Sequence, residues 1–393
     1  MYKILIYIIA ILAYSTTALA GGPFFVNYDG NGAPILWENN TIKWVVDGGP
    51  LNNAVSNAEA VAWIKELLTV WQDAELETAG GDLTKVANIT FEYQGALSNN
   101  IDEKNYLSAI DMDEARAVFI FDSTGELIDR ELGDGAKKYV VGFASPLSDG
   151  SDYFAGGVVV LNGLFVDGDK KGSSEVGISE FKSAVLHEIG HLLNLDHTQA
   201  NIEVAERLSD GDSSLSDELP TMYPVLWTDD QLNLHAEDTI AIAEQYPSTN
   251  YNSEFCKIKG ELMNSSGKPF QGGDVVARAE DPLYEYSDVR SFVSGVMYPV
   301  GTSNGEYVLG GIVPGRKYAV GYRELDSSFT GGSSIAPYDP PKTGIGSGVI
   351  TDARLECQNA SLSSEPFSSS GITDSSDSAN AGAAPGGGCS LIR

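Results

Sequence analysis

His187-Glu188-Ile189-Gly190-His191-Leu192-Leu193-Asn194-Leu195-Asp196-His197 holds three of the four histidines in a chain of 393 residues. On a helix, residues four apart share a face, so His187 and His191 can grip one ion together. Glu188 lies beside the first of them, within reach of an ion-activated water. His197 comes too late for the same face, so the chain must turn and bring it back from outside the helix. Three imidazoles with one open position suit a catalytic zinc rather than a closed structural site. A helix with this content, from about Ser179 to Asn194, would turn Val185, Ile189, Leu192 and Leu193 to a core.

Outward from this stretch the pattern is α+β. Strands are expected at Thr41–Asp47, Asn88–Tyr93, Ala117–Phe121, Tyr139–Ala144 and Gly157–Leu161. Asn57–Gln72 reads as an amphipathic helix with Val61, Ile64, Leu68 and Trp71 inward. The stretch after His197 reads as an acidic irregular loop through Pro220, and a final helix runs from about Leu234 to Gln245. Past residue 250 short strands alternate with Gly, Pro and Asn turns, at Cys256–Glu261, Asp274–Ala277, Val308–Leu309 and Tyr318–Val320, as in a small β-sandwich. Cys256 and Cys357 bracket that region and can pair in an oxidising compartment.

The ends read differently. Residues 1–20 resemble a secretory signal: Lys3, the apolar run Ile4–Leu12 and the small-residue site Ala18-Leu19-Ala20. This places the protein outside the cell or in a periplasm or at the cell surface, with no stable membrane span in the mature chain. Residues 21–40 look like an extended lead-in. Residues 358–393 are rich in Ser and Gly, too poor in apolar residues to bury a core, and are expected to form a disordered tail. Gly386-Gly387-Gly388-Cys389 resembles the start of a bacterial sorting tail, and reads first as a polar terminus with one stray thiol.

The net charge of −31, from 55 acidic and 24 basic residues, argues against nucleic acid, whose phosphates need clustered Lys and Arg. Asp167, Asp169, Asp210, Asp212 and Asp217 supply carboxylates of the kind that bind Ca2+. They follow no EF-hand spacing and read first as solvated loops.

Thr221-Met222-Tyr223-Pro224 completes a pattern. His-Glu-x-x-His, a third histidine at this spacing and a later Met-containing turn resemble the metzincin metalloproteases, and Met-Tyr-Pro resembles their matrixin branch. The resemblance covers roughly residues 35–247, and it implies an α+β catalytic domain at 41–250: a mixed twisted sheet with an active-site helix and a C-terminal helix. It implies Zn2+ on His187, His191 and His197, Glu188 as general base, and Met222 as an apolar floor under the ion. The activity implied is secreted, zinc-dependent endopeptidase action on protein or peptide substrates, by a monomer. The resemblance also implies that Val158, Val159 and Val160 form an edge strand that pairs with an extended substrate, and that Pro224, Val225 and Leu226 line a side-chain pocket. Asn194 departs from the pattern, which has glycine there. Asn is the next-best residue for a left-handed turn. Tyr223 stands one place too early to match a tyrosine zinc ligand and is not assigned as one. Residues 254–357 resemble carboxypeptidase regulatory-like sandwiches at Gly260, Gly267, Pro269, Val275, Ala277, Gly305-Glu306-Tyr307 and Pro314-Gly315. The alternative reading is a catalytically inactive metzincin-like surface binding protein, although Glu188 is retained.

Overall fold

The computed structural model describes residues 22–27, 32–110, 112–169, 175–326, 341–350, 353–357 and 390–392. The expected signal, most of the Ser/Gly-rich tail and Cys389 lie outside these residues. The main sheet is mixed. Its strands are β1 (Thr41–Val46), β2 (Thr90–Ala96), β3 (Arg116–Asp122), β4 (Val140–Ser148) and β5 (Phe154–Asn162). They lie side by side in the order β4-β5-β3-β1-β2, all parallel except β4. A short strand, Ser390–Ile392, adds to the outer side of β4.

Helix α1 (Asn57–Gln72) starts where the sequence expects it, with a Ser56–Glu59 capping box. It packs beside α2 (Ile178–Leu192) on one face of the sheet. Trp44, Val46, Phe119, Phe121, Val159 and Leu161 from the strands meet Ile64, Leu68, Trp71, Val185, Ile189 and Leu192 in this core. The opposite face, with Val118, Ile120, Val158 and Val160, is covered by Leu127 and Ile128 of the helix at Glu126–Leu132.

This arrangement corrects one expectation. Val158, Val159 and Val160 do not form an edge: β5 pairs with β3 on one side and β4 on the other. All three are buried, at 8%, 0% and 1% exposure, on alternate faces. A continuous apolar run signals a strand covered on both faces, and its place within the sheet is set by the pairing on its two sides. The edge beside α2 is β4.

The stretch after His197 is not all loop. It contains α3 (Ile202–Ser209), whose Val204 and Ala205 pack with Leu219, Tyr223, Val293, Val296 and Leu325. Ile202, Val204, Ala205 and Leu208 lie on one side of this short helix, so the sequence did carry a signal for it; the residues that cover that side lie far along the chain. Helix α4 (Ala236–Gln245) follows, capped by the buried His235 side chain, which accepts a hydrogen bond from the Glu237 amide.

The second unit consists of two sheets. One holds β6 (Cys256–Glu261), β9 (Glu306–Ile312) and β12 (Arg354–Glu356). The other holds β7 (Gly273–Ala279), β8 (Val289–Val293), β10 (Tyr318–Glu324) and β11 (Gly348–Val349). Ile258, Val275, Ala277, Tyr307, Leu309 and Val320 fill the space between them. Cys256 and Cys357 form a disulfide. It closes a loop with a sequence separation of 101, and chain entropy assigns such a loop about 4–5 kcal/mol. Cys256→Ser should lower the urea midpoint accordingly, and the wild type should match it under reducing conditions.

No helix among the described residues is long and apolar enough to cross a membrane.

Candidate metal centre

Helix α2 is buried along most of its length, which places His187, Glu188 and His191 inside the protein at 1%, 0% and 0% exposure. Its end has a defined cause. Asn194 adopts φ +74°. Its amide donates to His191 O at 2.9 Å, and the Leu195 amide donates back to Gly190 O at 2.9 Å. These two bonds make a Schellman motif with Asn in the left-handed position. The reversed chain then carries His197 to face the helix.

The three rings converge. His187 Nε2 lies 3.0 Å from His191 Nε2 and 3.2 Å from His197 Nε2, and the last two are 3.2 Å apart. Among the described residues this is the group of three or more His, Cys, Asp or Glu side chains placed to hold a metal ion. His187 Nδ1 lies 2.7 Å from Thr221 O and His191 Nδ1 2.8 Å from Leu195 O. A carbonyl only accepts, so each Nδ1 carries the proton and each Nε2 presents a lone pair. Burial lowers the pKa of both rings, His191 to about 4 and His187 well below its usual value, with the neighbouring histidines adding to the effect at His187. Neutral imidazole is the form that binds metal. Lone pairs facing one another at this range repel unless a cation sits between them. Three nitrogens about 2.05 Å from one tetrahedral ion would be about 3.3 Å apart, so the donor set fits zinc in number, type and spacing.

Met222, 1% exposed, packs close to Gly190 of α2. A Cβ on Gly190, between the two helical ligands, would collide with Met222 Sδ and the Trp71 ring. Glycine is therefore what lets the methionine approach the helix. The turn carrying Met222 is held by Asp238, which accepts from the amides of Thr221 at 2.8 Å, Met222 at 2.9 Å and His235 at 2.9 Å. Met222 O in turn accepts from the Thr198 amide at 3.0 Å, and Thr221 O holds His187. One buried carboxylate thus supports both the ligand helix and the ligand loop. The readable signal for it was the acidic residue in the first turn of α4.

Glu188 faces β4: a Cβ built on Gly142 would stand 3.3 Å from Glu188 Cγ. Pro224 and Leu226 are buried, Leu226 in the main core, and Val225 packs toward the second unit. Trp227, next in sequence, is 41% exposed. Tyr223 packs with Val293 and Val296 of the second unit. Asp169, Asp210, Asp212 and Asp217 are exposed and Asp167 is half-buried, and none belongs to a metal-holding group among the described residues.

Two features of the surroundings had no clear sequence signal. The first is the segment Gly22–Phe25. Pro23 bridges to Leu195, the Asp196 amide donates to Gly22 O at 3.1 Å, and the Phe24 amide donates to Asn194 O at 2.7 Å. The Phe24 ring lies 5.9 Å from the His191 ring, centre to centre. Asn194 Oδ1 accepts from the Phe25 amide at 2.6 Å, and its Nδ2 lies 3.0 Å from Phe25 O, Ile35 O and Gln245 Oε1. Asparagine therefore does what glycine could not: it takes the left-handed turn and ties down the N-terminal segment. Asn194→Gly keeps the turn and loses these bonds. It should cost about 2–4 kcal/mol in urea unfolding and weaken zinc affinity about 10–100-fold, since the carbonyl holding His191 loses its brace.

The second feature is the clamp from the β-sandwich. Gln199 Nε2 donates to Asp274 at 3.0 Å, and Arg323 bonds both Asp274 at 2.9 Å and Gln199 O at 2.6 Å. Glu237, its pKa raised well above the usual value by burial, accepts from the Ser291 amide at 3.0 Å and from the Thr198 hydroxyl at 3.2 Å. The residues directly after His197 are thus gripped by the second unit.

No protein-family model matches the chain, and no curated protein matches it significantly.

Proposed function

We propose that the protein is a zinc-dependent endopeptidase of the matrixin-like metzincin kind, exported by its N-terminal segment. The observation that carries this reading is the convergence of three buried histidine Nε2 atoms, with Glu188 buried next to His187 on the same helix. Bound there, zinc would acidify a water to a pKa of about 7 and polarise a scissile carbonyl. Glu188 takes the proton from the attacking water and hands it to the leaving amine. His187 and His191 keep their orientation through Thr221 O and Leu195 O, so neither ring has to reorganise during the reaction. Burial under α1, Met222 and the N-terminal segment keeps bulk water away from the ligands. The β-sandwich brings no second metal-holding group among its described residues, and its part is to brace the ligand loop.

The test is cleavage of casein or gelatin by the purified chain. Cleavage should stop on adding a chelator and return with zinc. Bound zinc without any cleavage would favour the inactive binding protein instead.

A further inference from the structure

β4 is the open edge of the main sheet beside α2, and the chain covers part of that edge with itself. Ser390–Ile392 adds antiparallel to β4, with Ser390 opposite Phe143, Leu391 opposite Gly142 and Ile392 opposite Val140. The covered stretch is not arbitrary. A Cβ built on Gly142 would stand 3.3 Å from Glu188 Cγ, and the backbone of the added strand runs close to α2. Farther along, Ala144–Ser148 pair with β5 on their inner side and carry no partner strand on the outer side among the described residues.

An exposed sheet edge recruits extended chain through main-chain hydrogen bonds, with little demand on side-chain identity. A segment of the same chain has an advantage in that competition. Tethering gives it an effective concentration on the order of millimolar. We infer that Ser390–Ile392 is a cis-acting occupant of a peptide-binding edge: it lies on β4 beside Glu188 as an extended substrate backbone would, and must leave before another chain can pair there. The inference rests on the peptide-cleavage reading for its functional meaning, while the occupancy itself can be measured without turnover.

The experiment uses the full chain carrying Glu188→Gln, with and without Leu391→Pro and Ile392→Pro. Proline removes the amide donors that an added strand needs. Hydrogen exchange is followed at the amides of Val140–Phe143. They should exchange at least about tenfold faster in the proline variant, while those of Ala144, Ser145, Leu147 and Ser148 keep their rate. A fluorescent casein-derived peptide should bind the proline variant at least about tenfold more tightly. Unchanged exchange at Val140–Phe143 would overturn the inference, including the case in which a second copy of the chain covers the edge, which sedimentation would reveal. Faster exchange without tighter peptide binding would also overturn it, because the edge would then not be a peptide site. The protease reading fails separately, if chains retaining Glu188 show no chelator-sensitive cleavage whether or not the prolines are present.

Discussion

On the proposed reading, Glu188→Gln should still bind zinc and lose peptide cleavage, by a factor of about 10²–10⁴ in kcat. The substitution preserves shape: Glu188 is fully buried and faces Gly142 across the gap between α2 and β4, and Gln fills the same volume. It removes only the ability to accept a proton and pass it on. The ligands keep their places, because His187 is held by Thr221 O and His191 by Leu195 O, independently of Glu188. Metal content measured by mass spectrometry should therefore match wild type while cleavage collapses. Loss of both together would mean that Glu188 supports the fold or the metal. Retained cleavage would remove it from the mechanism.

His197→Ala should lower zinc affinity by more than a hundredfold, beyond the effect of removing an orienting partner. It deletes one of three converging nitrogens, each about 3 Å from the other two. The helical pair His187 and His191 survives, so a weak two-histidine site persists, but two donors leave the ion open to chelation by buffer. The chain should still fold, since the Schellman turn and the Asp238 and Gln199 contacts do not use the His197 ring. Titration with a chromogenic zinc competitor reads the affinity, and circular dichroism checks the fold. Unchanged affinity would mean that the third ligand lies elsewhere.

Much of the centre was legible because its signals are local. His187 and His191 obey helical spacing, His197 follows a turn whose residue tolerates φ > 0, and Met222 sits in a recognisable turn. Each depends on a few consecutive residues. Val158–Val160 show where local reading stops. An apolar run looks alike in an inner strand and at a buried edge, and only pairing with β3 and β4 assigns its place. Helix α3 is a different case: Ile202, Val204, Ala205 and Leu208 follow helical spacing and were readable, and only their cover, in Val293, Val296 and Leu325, is set by the tertiary structure.

Asn194 joins the two levels. Its sequence position signals a left-handed helix end, and that held. Its second task, binding Phe25, Ile35 and Gln245 at once, joins residues far apart in the chain, and no spacing rule encodes such a meeting. Residue order and backbone preference were enough to specify the donors, their helix and the turn between them. Which strand lies open beside Glu188, what covers it, and how the N-terminal segment and the sandwich brace the ligand loop were decided by packing. Those contacts exist only after hydrophobic burial has brought distant segments together.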